Sequence, residues 1–364
     1  MQGVESMRQL TVLALLLTCL TANGKDARFQ TETVFKGNDV VWGFDFLPNN
    51  NILITEKDGV LRLFDPKTKK SQALEGVPKV RSRGQGGLLD VLVDRAFKQN
   101  KKIYLTFSVP LEGGQTTRLV SASLNQNKLE NLKVIFTALP ATSKTQHFGS
   151  RVVQDKDGSL YFTVGDRGER KLAQDMSQHR GKLYKVTAGD KVTMWSYGHR
   201  NAQGADFHPS TGKLWTVEHG PRGGDELNVI SKGKNYGWPV ITYGKEYWGP
   251  SIGDTHKEGM EQPAYHYTPS IAISGLMIYS GKMFPEWKDQ FFIGALKDTH
   301  ISRLASVNSK FVEQEKFFED NDERIRQIKE FKDGSIYYST DNGKIVRLFK
   351  KLETKSSNKS KKGK

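Results

Sequence analysis

Six short polar clusters hold the residues whose types and spacing could do chemistry. They lie at 84–87 (GQGG), 145–151 (TQHFGSR), 197–201 (YGHRN), 218–226 (EHGPRGGDE), 295–298 (ALKD) and 322–326 (DERIR). His147 could act as a base. The other clusters add fixed cations and amides, namely Arg200, Lys297, Arg324, Arg326, Gln85 and Asn201. Cations that converge from several segments suit a ligand with several carboxylates or phosphates.

The cluster at 218–226 also offers ligands for a hard cation. The backbone carbonyls of Gly220 and Pro221 and the carboxylate of Glu226 are oxygen ligands of the kind that calcium prefers. None of the eight histidines has the spacing of a zinc motif such as His-Glu-x-x-His. The clusters therefore predict a polyanionic ligand, together with a hard cation, held beside His147.

Each cluster taken alone also has an ordinary structural explanation. His147 is compatible with a loop histidine. Arg324 and Arg326, two positions apart, would point the same way on a solvated edge strand. Glycine-rich turns occur in any β protein. The prediction of a site therefore depends on a fold that brings the clusters together.

An internal repeat indicates that fold. Six short runs of apolar residues with Thr, Ser or Gly begin at Ile52, Ile103, Leu160, Leu214, Phe291 and Ile336. Neighbouring starts are 45–57 residues apart, except for one gap of 77 that indicates an insertion. Turn signals such as Asp157-Gly158 and Asp333-Gly334 precede several runs, and long helical periodicity is almost absent. The pattern predicts an all-β protein, a six-bladed β-propeller over residues 25–349. A β-sandwich or a pair of β domains is the alternative.

The N-terminus has the layout of a secretory signal peptide. An apolar run at 10–20 follows Arg8 and precedes the small residues Ala22 and Gly24, which predicts a signal peptide over residues 1–24. The run is too short to span a bilayer. The chain's single cysteine, Cys19, falls inside it, so that the mature protein would contain none. We expect export to the periplasm or the extracellular space. The alternative is a lipoprotein with Cys19 as the lipidated residue.

Composition and charge exclude several classes. A single Cys rules out a disulfide scaffold, and 6 Trp, 12 Tyr and 19 Phe argue against disorder of the whole chain. The net charge is +15, of which residues 350–364 carry a large share as seven lysines. That tail has no apolar periodicity and is predicted to be a basic, disordered extension. No aromatic residues interleave its lysines, and we expect no nucleic-acid partner.

Seven motifs stand in order along residues 41–348. They are GQGGLLDV (84–91), HFGSR (147–151), WSYGHRNAQG (195–204), EHGPRGGDELN (218–228), KGKNYGWP (232–239), GALKD (294–298) and RIRQ (324–327). In these motifs the sequence resembles the soluble aldose sugar dehydrogenases that depend on pyrroloquinoline quinone (PQQ), within the quinoprotein glucose/sorbosone dehydrogenase family. That family is a six-bladed β-propeller, in agreement with the repeat count. Two residues depart from its pattern: Ser150 stands where Gly is frequent, and Ala202 where Pro is frequent.

The resemblance implies an activity and a role for each matched residue. It implies oxidation of an aldose at C1 to the lactone, with His147 as the general base and hydride passing to C5 of the quinone. Arg200 is implied as the cation that stabilises the developing oxyanion. The residues implied to bind PQQ are Gln85, His147, Arg200, Asn201, Thr242, Tyr247, Lys297, Arg324 and Arg326. The residues implied to bind Ca²⁺ are Gly220 and Pro221 beside the cofactor, and Glu226 and Tyr236 at a second, structural ion.

The partners expected from the resemblance are an aldose sugar and an electron acceptor that the sequence does not identify. The chain is expected to be a monomer or a homodimer without a transmembrane segment. The alternative function is a propeller that has lost catalysis and binds a protein or carbohydrate partner. The retention of His147 among several cations favours the enzyme. A propeller lactonase would instead need an axial carboxylate and an Asn around calcium.

Overall fold

The computed structural model describes residues 28–351, and in this range the strands form six four-stranded antiparallel sheets. Blade 1 consists of β2 (Val41–Phe46), β3 (Ile52–Glu56), β4 (Leu61–Asp65) and β5 (Lys70–Ala73). Blade 2 consists of β6 (Leu88–Val93), β7 (Lys102–Leu111), β8 (Gly114–Asn125) and β9 (Lys128–Thr137). Blade 3 consists of β10 (Gly149–Gln154), β11 (Leu160–Val164), β12 (Lys182–Thr187) and β13 (Lys191–Tyr197). Blade 4 consists of β14 (Ala202–Phe207), β15 (Leu214–Glu218), β16 (Asp225–Ile230) and β17 (Tyr265–Tyr267). Blade 5 consists of β18 (Ile273–Ile278), β19 (Phe291–Ala295), β20 (Ile301–Val307) and β21 (Lys310–Phe317). Blade 6 consists of β22 (Ile325–Glu330), β23 (Ile336–Thr340), β24 (Lys344–Lys350) and β1 (Phe29–Lys36). The helical segments are α1 (Phe97–Asn100) and 3₁₀ turns at Arg170–Ala173, Ala188–Asp190, Pro285–Trp287 and Glu319–Asn321.

The six blades confirm the predicted β-propeller. Each apolar run of the repeat forms the second strand of a blade, and the five residues of β3, β11, β15, β19 and β23 are all buried. A second strand lies between two others and faces neighbouring blades on both sides, so a continuous apolar run suits it better than alternation. The gap of 77 residues corresponds to a long connection at 231–264 between β16 and β17.

The ring closes through its first and last strands. The N-terminal β1 pairs antiparallel with β24, from Phe29 opposite Lys350 to Lys36 opposite Lys344. The sixth blade therefore contains strands from both ends of the described chain, which leaves no open ring edge between blades. The first strand of each blade, namely β2, β6, β10, β14, β18 and β22, contacts its counterpart in the neighbouring blade and lines the central axis.

The predicted hairpin turns form where the sequence places them. Gly158, Gly212 and Gly334 connect first to second strands with φ of 85°, 68° and 90°, and Asn50 does so with φ of 74°. These left-handed values favour Gly and Asn because other side chains clash with the backbone there.

A β-bulge interrupts every inner strand near its start. The register against the second strand shifts between Val41 and Gly43 in blade 1 and between Ile325 and Gln327 in blade 6, and equivalent shifts occur in the other four blades. Bulges turn side chains away from the regular alternation. All six lie at the end of the propeller where inner strands begin and second strands end, which we call the site face.

The predicted signal peptide at 1–24 lies outside the described residues, as does the tail beyond residue 351. Within residues 28–351, no helix has the length and apolar character needed to cross a membrane.

Candidate active site on the site face

His147 lies in the loop that leads into β10 and is held at both its backbone and its ring. Its backbone N–H donates to Oε1 of Gln85 at 2.7 Å, and its φ is 56°. Its ring Nδ1 lies 2.6 Å from Oδ1 of Asp166, which follows β11. A carboxylate at Nδ1 fixes the tautomer in which Nδ1 carries the proton, so that Nε2 keeps its lone pair. The geometry is that of an oriented general base.

Burial and charge both favour the neutral form of this base. Burial lowers the pKa of His147 below its usual 6.5, and the positive charge of Arg200 lowers it further. Asp166 acts in the opposite direction through its hydrogen bond and its charge. Since a base must be unprotonated to accept a proton, His147 is ready to act at neutral pH.

Asp166 is a residue of the candidate site that sequence reasoning missed. Besides His147, its carboxylate accepts hydrogen bonds from the Gly168 backbone N–H at 2.7 Å and from the Trp238 indole Nε1 at 2.8 Å. The hydrogen bond and charge of His147, the charge of Arg200 and the Gly168 N–H hold the pKa of Asp166 below its ordinary value although the group is buried. The available signal was the acidic residue of the Gly-Asp-Arg-Gly turn directly after the buried run at 160–164.

Arg200 and Asn201 come together beside His147, in the loop between β13 and β14. The Arg200 guanidinium donates to the His219 carbonyl at 2.6 Å and packs over the Trp238 ring at 5.3 Å. Its buried Nε has no hydrogen-bond partner among the described residues. The Asn201 side chain accepts from the Gly149 N–H at 3.1 Å. Arg200 is thus a fixed cation with unused donor capacity.

Three further predicted cations reach the site face, and each lies next to an acid. Arg324 and Arg326 share Asp341: Arg326 contacts both carboxylate oxygens at 2.8 and 2.9 Å, and Arg324 contacts one at 2.7 Å. Lys297 lies 3.1 Å from Asp298. The two guanidinium groups lower the pKa of the partly buried Asp341. Sequence reasoning missed Asp341 as the anchor that fixes both arginines.

Bulge residues of the inner strands form a polar floor below these cations. Arg326 donates across the axis to Gln203 at 3.0 Å, and Arg151 forms a buried pair with Asp90 at 2.7 Å. The Arg151 guanidinium also lies 4.6 Å from the centre of the Trp42 ring. The floor is rigid because each member has a partner on another blade.

A small niche in blade 4 brings together the predicted calcium ligands at 220–226. The niche has a volume of about 10 Å³ and is lined in part by Gly220, Pro221, Glu218 and Glu226. Glu218 and Glu226 are directly opposite each other on β15 and β16. Such a like-charge pair is unfavourable without a cation. Burial, reinforced by the charge of Glu218, raises the pKa of Glu226.

Three of the predicted calcium ligands, two of which line this niche, have backbone carbonyls that could bind a cation. Those of Gly220, Pro221 and Tyr236 accept no hydrogen bond from the described residues. Tyr236 is buried, stacks on His199 at 4.7 Å and donates its hydroxyl to the Val229 carbonyl. Carboxylates and unpaired carbonyls form the donor set that suits Ca²⁺. Within residues 28–351, no group of three or more His, Cys, Asp or Glu side chains could hold a metal, so carbonyls must complete any calcium site.

The two predicted residues of the long connection differ in environment. Thr242 is buried and lines the same niche, where its hydroxyl accepts from the Gly244 N–H at 3.1 Å. Tyr247 is 67% exposed at the tip of a turn. The structure therefore brings Thr242 to the predicted calcium ligands and leaves the Tyr247 side chain facing solvent.

Ser150, one departure from the family pattern, has a strained backbone. Its φ is 75°, a left-handed value that favours Gly, and its side chain is buried. Its hydroxyl donates to the Phe148 carbonyl at 3.2 Å, which offsets part of the conformational cost. The departure thus costs local backbone energy and leaves the reactive groups in position.

A large cavity of the described chain lies elsewhere. It measures about 570 Å³ and is lined by the last residue of every inner strand, at the end of the axis opposite the site face. It belongs to the central channel that a propeller leaves open. The candidate site is instead the open surface around His147.

Comparison with solved structures places the chain among propeller dehydrogenases. The soluble aldose sugar dehydrogenase of Escherichia coli in its apo-form has a TM-score of 0.85 and 35% identity, covering 89% of this chain and 100% of that one. The PQQ-bound aldose sugar dehydrogenase of Streptomyces coelicolor has a TM-score of 0.75 and 22% identity, covering 89% of this chain and 98% of that one, and at that identity supports the fold alone.

Sequence comparison gives the family. The family model for glucose/sorbosone dehydrogenases matches residues 38–347. The aldose sugar dehydrogenase YliI of Escherichia coli (strain K12) is 37% identical over 333 residues, which covers 85% of this chain and 90% of that protein. Quinoprotein glucose dehydrogenase B of Acinetobacter calcoaceticus is 24% identical over 419 residues, covering 87% and 86%. The chain belongs to the glucose/sorbosone dehydrogenase family and is an oxidoreductase of that family.

Proposed function

We propose that this protein is a PQQ-dependent aldose sugar dehydrogenase, which oxidises the C1 hydroxyl of an aldose to the lactone with the help of Ca²⁺. The observation that carries the proposal is a neutral, oriented His147 next to the fixed cation Arg200 on a face lined with further cations. A protein-binding propeller has no need of a base held in one tautomer beside an arginine with unused donor capacity. This favours the enzyme over the catalytically inactive alternative.

The residues of the site face fit an anionic cofactor and a hard cation. Arg200, Lys297, Arg324 and Arg326 would hold carboxylate and quinone oxygens together with Gln85, Asn201, Thr242 and Tyr247. Asp341 and Asp298 neutralise only part of the cationic charge, so net positive charge remains for the cofactor. We assign Gly220 and Pro221 to the cofactor-associated Ca²⁺, and Glu226 and the Tyr236 carbonyl to a second Ca²⁺. When bound, PQQ supplies the hydride acceptor and Ca²⁺ polarises its carbonyl.

The chain's own residues supply the proton chemistry. His147 Nε2 accepts the proton of the C1 hydroxyl while Asp166 stabilises the imidazolium that forms. Arg200 directs a fixed positive charge at the place where negative charge develops, and it does so without reorganisation because Trp238 and the His219 carbonyl hold it. We further propose that the protein is exported, that a separate electron acceptor reoxidises the cofactor, and that the assembly is a monomer or homodimer.

Reconstitution tests the proposal directly. Apoprotein is mixed with Ca²⁺ and PQQ, and dye-linked turnover is measured over a panel of mono- and disaccharides. Activity that requires both additions is the expected result, and His147→Ala should lower kcat by about 10²- to 10⁴-fold while the thermal melt is unchanged. Calorimetry with PQQ covers the alternative function: absence of calcium-dependent binding and of turnover with every sugar would refute the proposal.

A further inference from the structure

Two neighbouring loops on the site face are joined along their length by polar contacts. One is the loop at 138–148, which leads from β9 to β10 and carries His147, and the other is the loop at 165–181, which leads from β11 to β12. The paired groups follow one another in order: Leu139 with His179, Pro140 and Ala141 with Arg180, Thr142 with Glu169, and Lys144 and Gln146 with Arg167. We call these contacts the loop clamp, and the hydrogen bond between Asp166 and His147 continues the series.

Arg167 makes the clamp contacts nearest to His147. Its guanidinium donates to the Lys144 carbonyl at 2.8 Å and also to the Gln146 carbonyl. The guanidinium lies 3.4 Å from the centre of the Phe148 ring, and the Arg167 backbone N–H donates to the His147 carbonyl at 3.3 Å. One residue therefore holds the chain on both sides of the base.

The Arg167 guanidinium is a buried cation without a carboxylate partner. Its exposed fraction is 0%, and no Asp or Glu forms an ion pair with it in the described part of the chain. Two buried arginines of the same blade, Arg151 and Arg180, pair with Asp90 and Glu169. Burial lowers the pKa of Arg167 to about 9, so the group is still charged at neutral pH. A buried charge of this kind is costly, and a neutral donor to the same carbonyls would avoid that cost, so the charge itself calls for an explanation.

We propose that Arg167 is a positioning residue for His147, which holds the chain at 144–148 so that Nε2 of the base faces the substrate hydroxyl. This role rests on the proposed function, in which that nitrogen accepts the proton of the C1 hydroxyl. Asp166 fixes the imidazole ring through Nδ1, whereas Arg167 fixes the backbone that carries the ring. Since a displacement of about 1 Å at a reacting group can lower a rate on the order of 10²-fold, the hold on the backbone matters for turnover.

The charge of Arg167 acts on the same base. Among the described residues, the charged and titratable groups that face His147 are Arg200, Asp166, Arg167 and His219, and burial and Arg200 lower the pKa of His219 to about 3, so that it is neutral. Burial and Arg200 are the main causes of the lowered pKa of His147, Arg167 adds to them, and Asp166 opposes them. Loss of the Arg167 charge should therefore raise the pKa of His147, whereas a lysine at this position retains the charge.

The test compares Arg167→Met, Arg167→Lys and the matched control Arg303→Met. Arg303 is also a buried arginine, and its partners are Gln290, which precedes β19 at the end opposite the site face, and Glu315 in the outer strand β21. In reconstituted holoenzyme, Arg167→Met should lower kcat about 10- to 100-fold, with KM for the aldose within about threefold of wild type because the buried side chain does not reach the substrate. Arg167→Lys should recover part of the loss, with kcat lowered about three- to tenfold, and Arg303→Met should keep kcat within about twofold.

Two measurements on the apoprotein separate this role from the proposed function. The backbone amides of residues 85, 147 and 167 form the hydrogen bonds around the base, and their hydrogen exchange should be at least about tenfold faster in Arg167→Met. NMR titration of the His147 ring should give a higher pKa in Arg167→Met and the wild-type pKa in Arg167→Lys. Both results would support the positioning role even if no sugar were oxidised.

Three outcomes would overturn the role of Arg167 and leave the oxidation of aldoses standing. They are a kcat within about twofold of wild type in Arg167→Met, unchanged exchange of the three amides, and an equal loss of kcat in Arg303→Met. Where Arg167→Met does not fold, Arg167→Lys decides, because it keeps the buried charge: a lowered kcat with the wild-type pKa of His147 supports the role, and a wild-type kcat refutes it.

Discussion

The hydrogen bonds of Asp166 allow the effect of Asp166→Asn to be worked out. One carboxylate oxygen accepts from His147 Nδ1 and the Gly168 N–H, and the other accepts from the Trp238 indole. An asparagine satisfies more donors when its oxygen faces His147 and Gly168, which leaves its NH₂ group against the Trp238 N–H. The variant therefore keeps the correct tautomer of His147 and loses the negative charge that stabilises the imidazolium.

The size of the effect follows from that geometry. A hydrogen bond to a charged group contributes about 1.5–3 kcal/mol, so that replacing the carboxylate by a neutral amide should lower kcat about 10- to 100-fold. A tautomer flip would cost far more, of the order of 10⁴. The acid limb of the kcat/KM profile should have its midpoint below pH 6.5 in the wild type, because burial and Arg200 lower the pKa of His147 and protonation of the base would abolish activity. In Asp166→Asn the midpoint should move lower still, since the acid that opposes this shift is gone.

Steady-state kinetics of the reconstituted protein over a pH series measures both quantities. Trp238→Phe removes the donor that clashes with the new amide, so Asp166→Asn combined with Trp238→Phe should be no slower than Asp166→Asn alone. A kcat within twofold of wild type for Asp166→Asn, or an acid limb that moves to higher pH, would refute the reasoning.

Three further predictions concern stability and metal. Lys182 is buried and donates to the carbonyls of Leu172, Ala173 and Arg180 at 2.7–2.9 Å. Lys182→Met leaves these carbonyls without a donor and should therefore lower the free energy of unfolding by about 2–4 kcal/mol in denaturant titrations. Equal stability of the two proteins would contradict this prediction. Ser150→Gly should be more stable than Ser150→Ala by about 1–2 kcal/mol, because both variants lack the hydroxyl and only Ala retains the backbone strain at φ 75°. A higher Tm for Ser150→Ala than for Ser150→Gly would show that the backbone at this position is not strained. In the wild type, chelation by EDTA should lower Tm and added Ca²⁺ should restore it. The Tm of Glu226→Gln should change much less on either addition. A full change in Tm in that variant would show that Glu226 is not a calcium ligand.

The fold was predictable because its signal is local and repeated. Each second strand, such as the run that begins at Ile336, is buried and rich in apolar residues, with small polar residues such as Ser339 among them, and each hairpin needs a residue that tolerates positive φ. Both requirements appear in the sequence as short patterns, and counting them gives the number of blades. The closure by Phe29–Lys36 has no such signal, because four consecutive residues of this edge strand, 30–33, are exposed and it contains no continuous apolar run.

The site was predictable only where reactive residue types stand out. His147 and Arg200 attract attention as a base and a cation, whereas Asp166 and Asp341 resemble ordinary loop acids until the fold brings them to their partners. Asp341 follows β23 and holds Arg324, which directly precedes β22, and Arg326, which is the second residue of β22. No spacing in the sequence encodes that pairing, since it depends on the register of two strands.

The acids that accompany the cations explain how the site face remains folded before it binds a ligand. Arg326 is 9% exposed, and a buried guanidinium without a partner would cost several kcal/mol. Asp341 removes that cost through two oxygens and leaves Arg326 positioned, while Arg324 is half-exposed and can turn one donor toward a ligand. An anionic cofactor therefore meets cations that are already oriented, and the free energy of ordering them has been met by folding instead of by binding. The same logic applies at His147, where Asp166 orients the base in advance of the substrate.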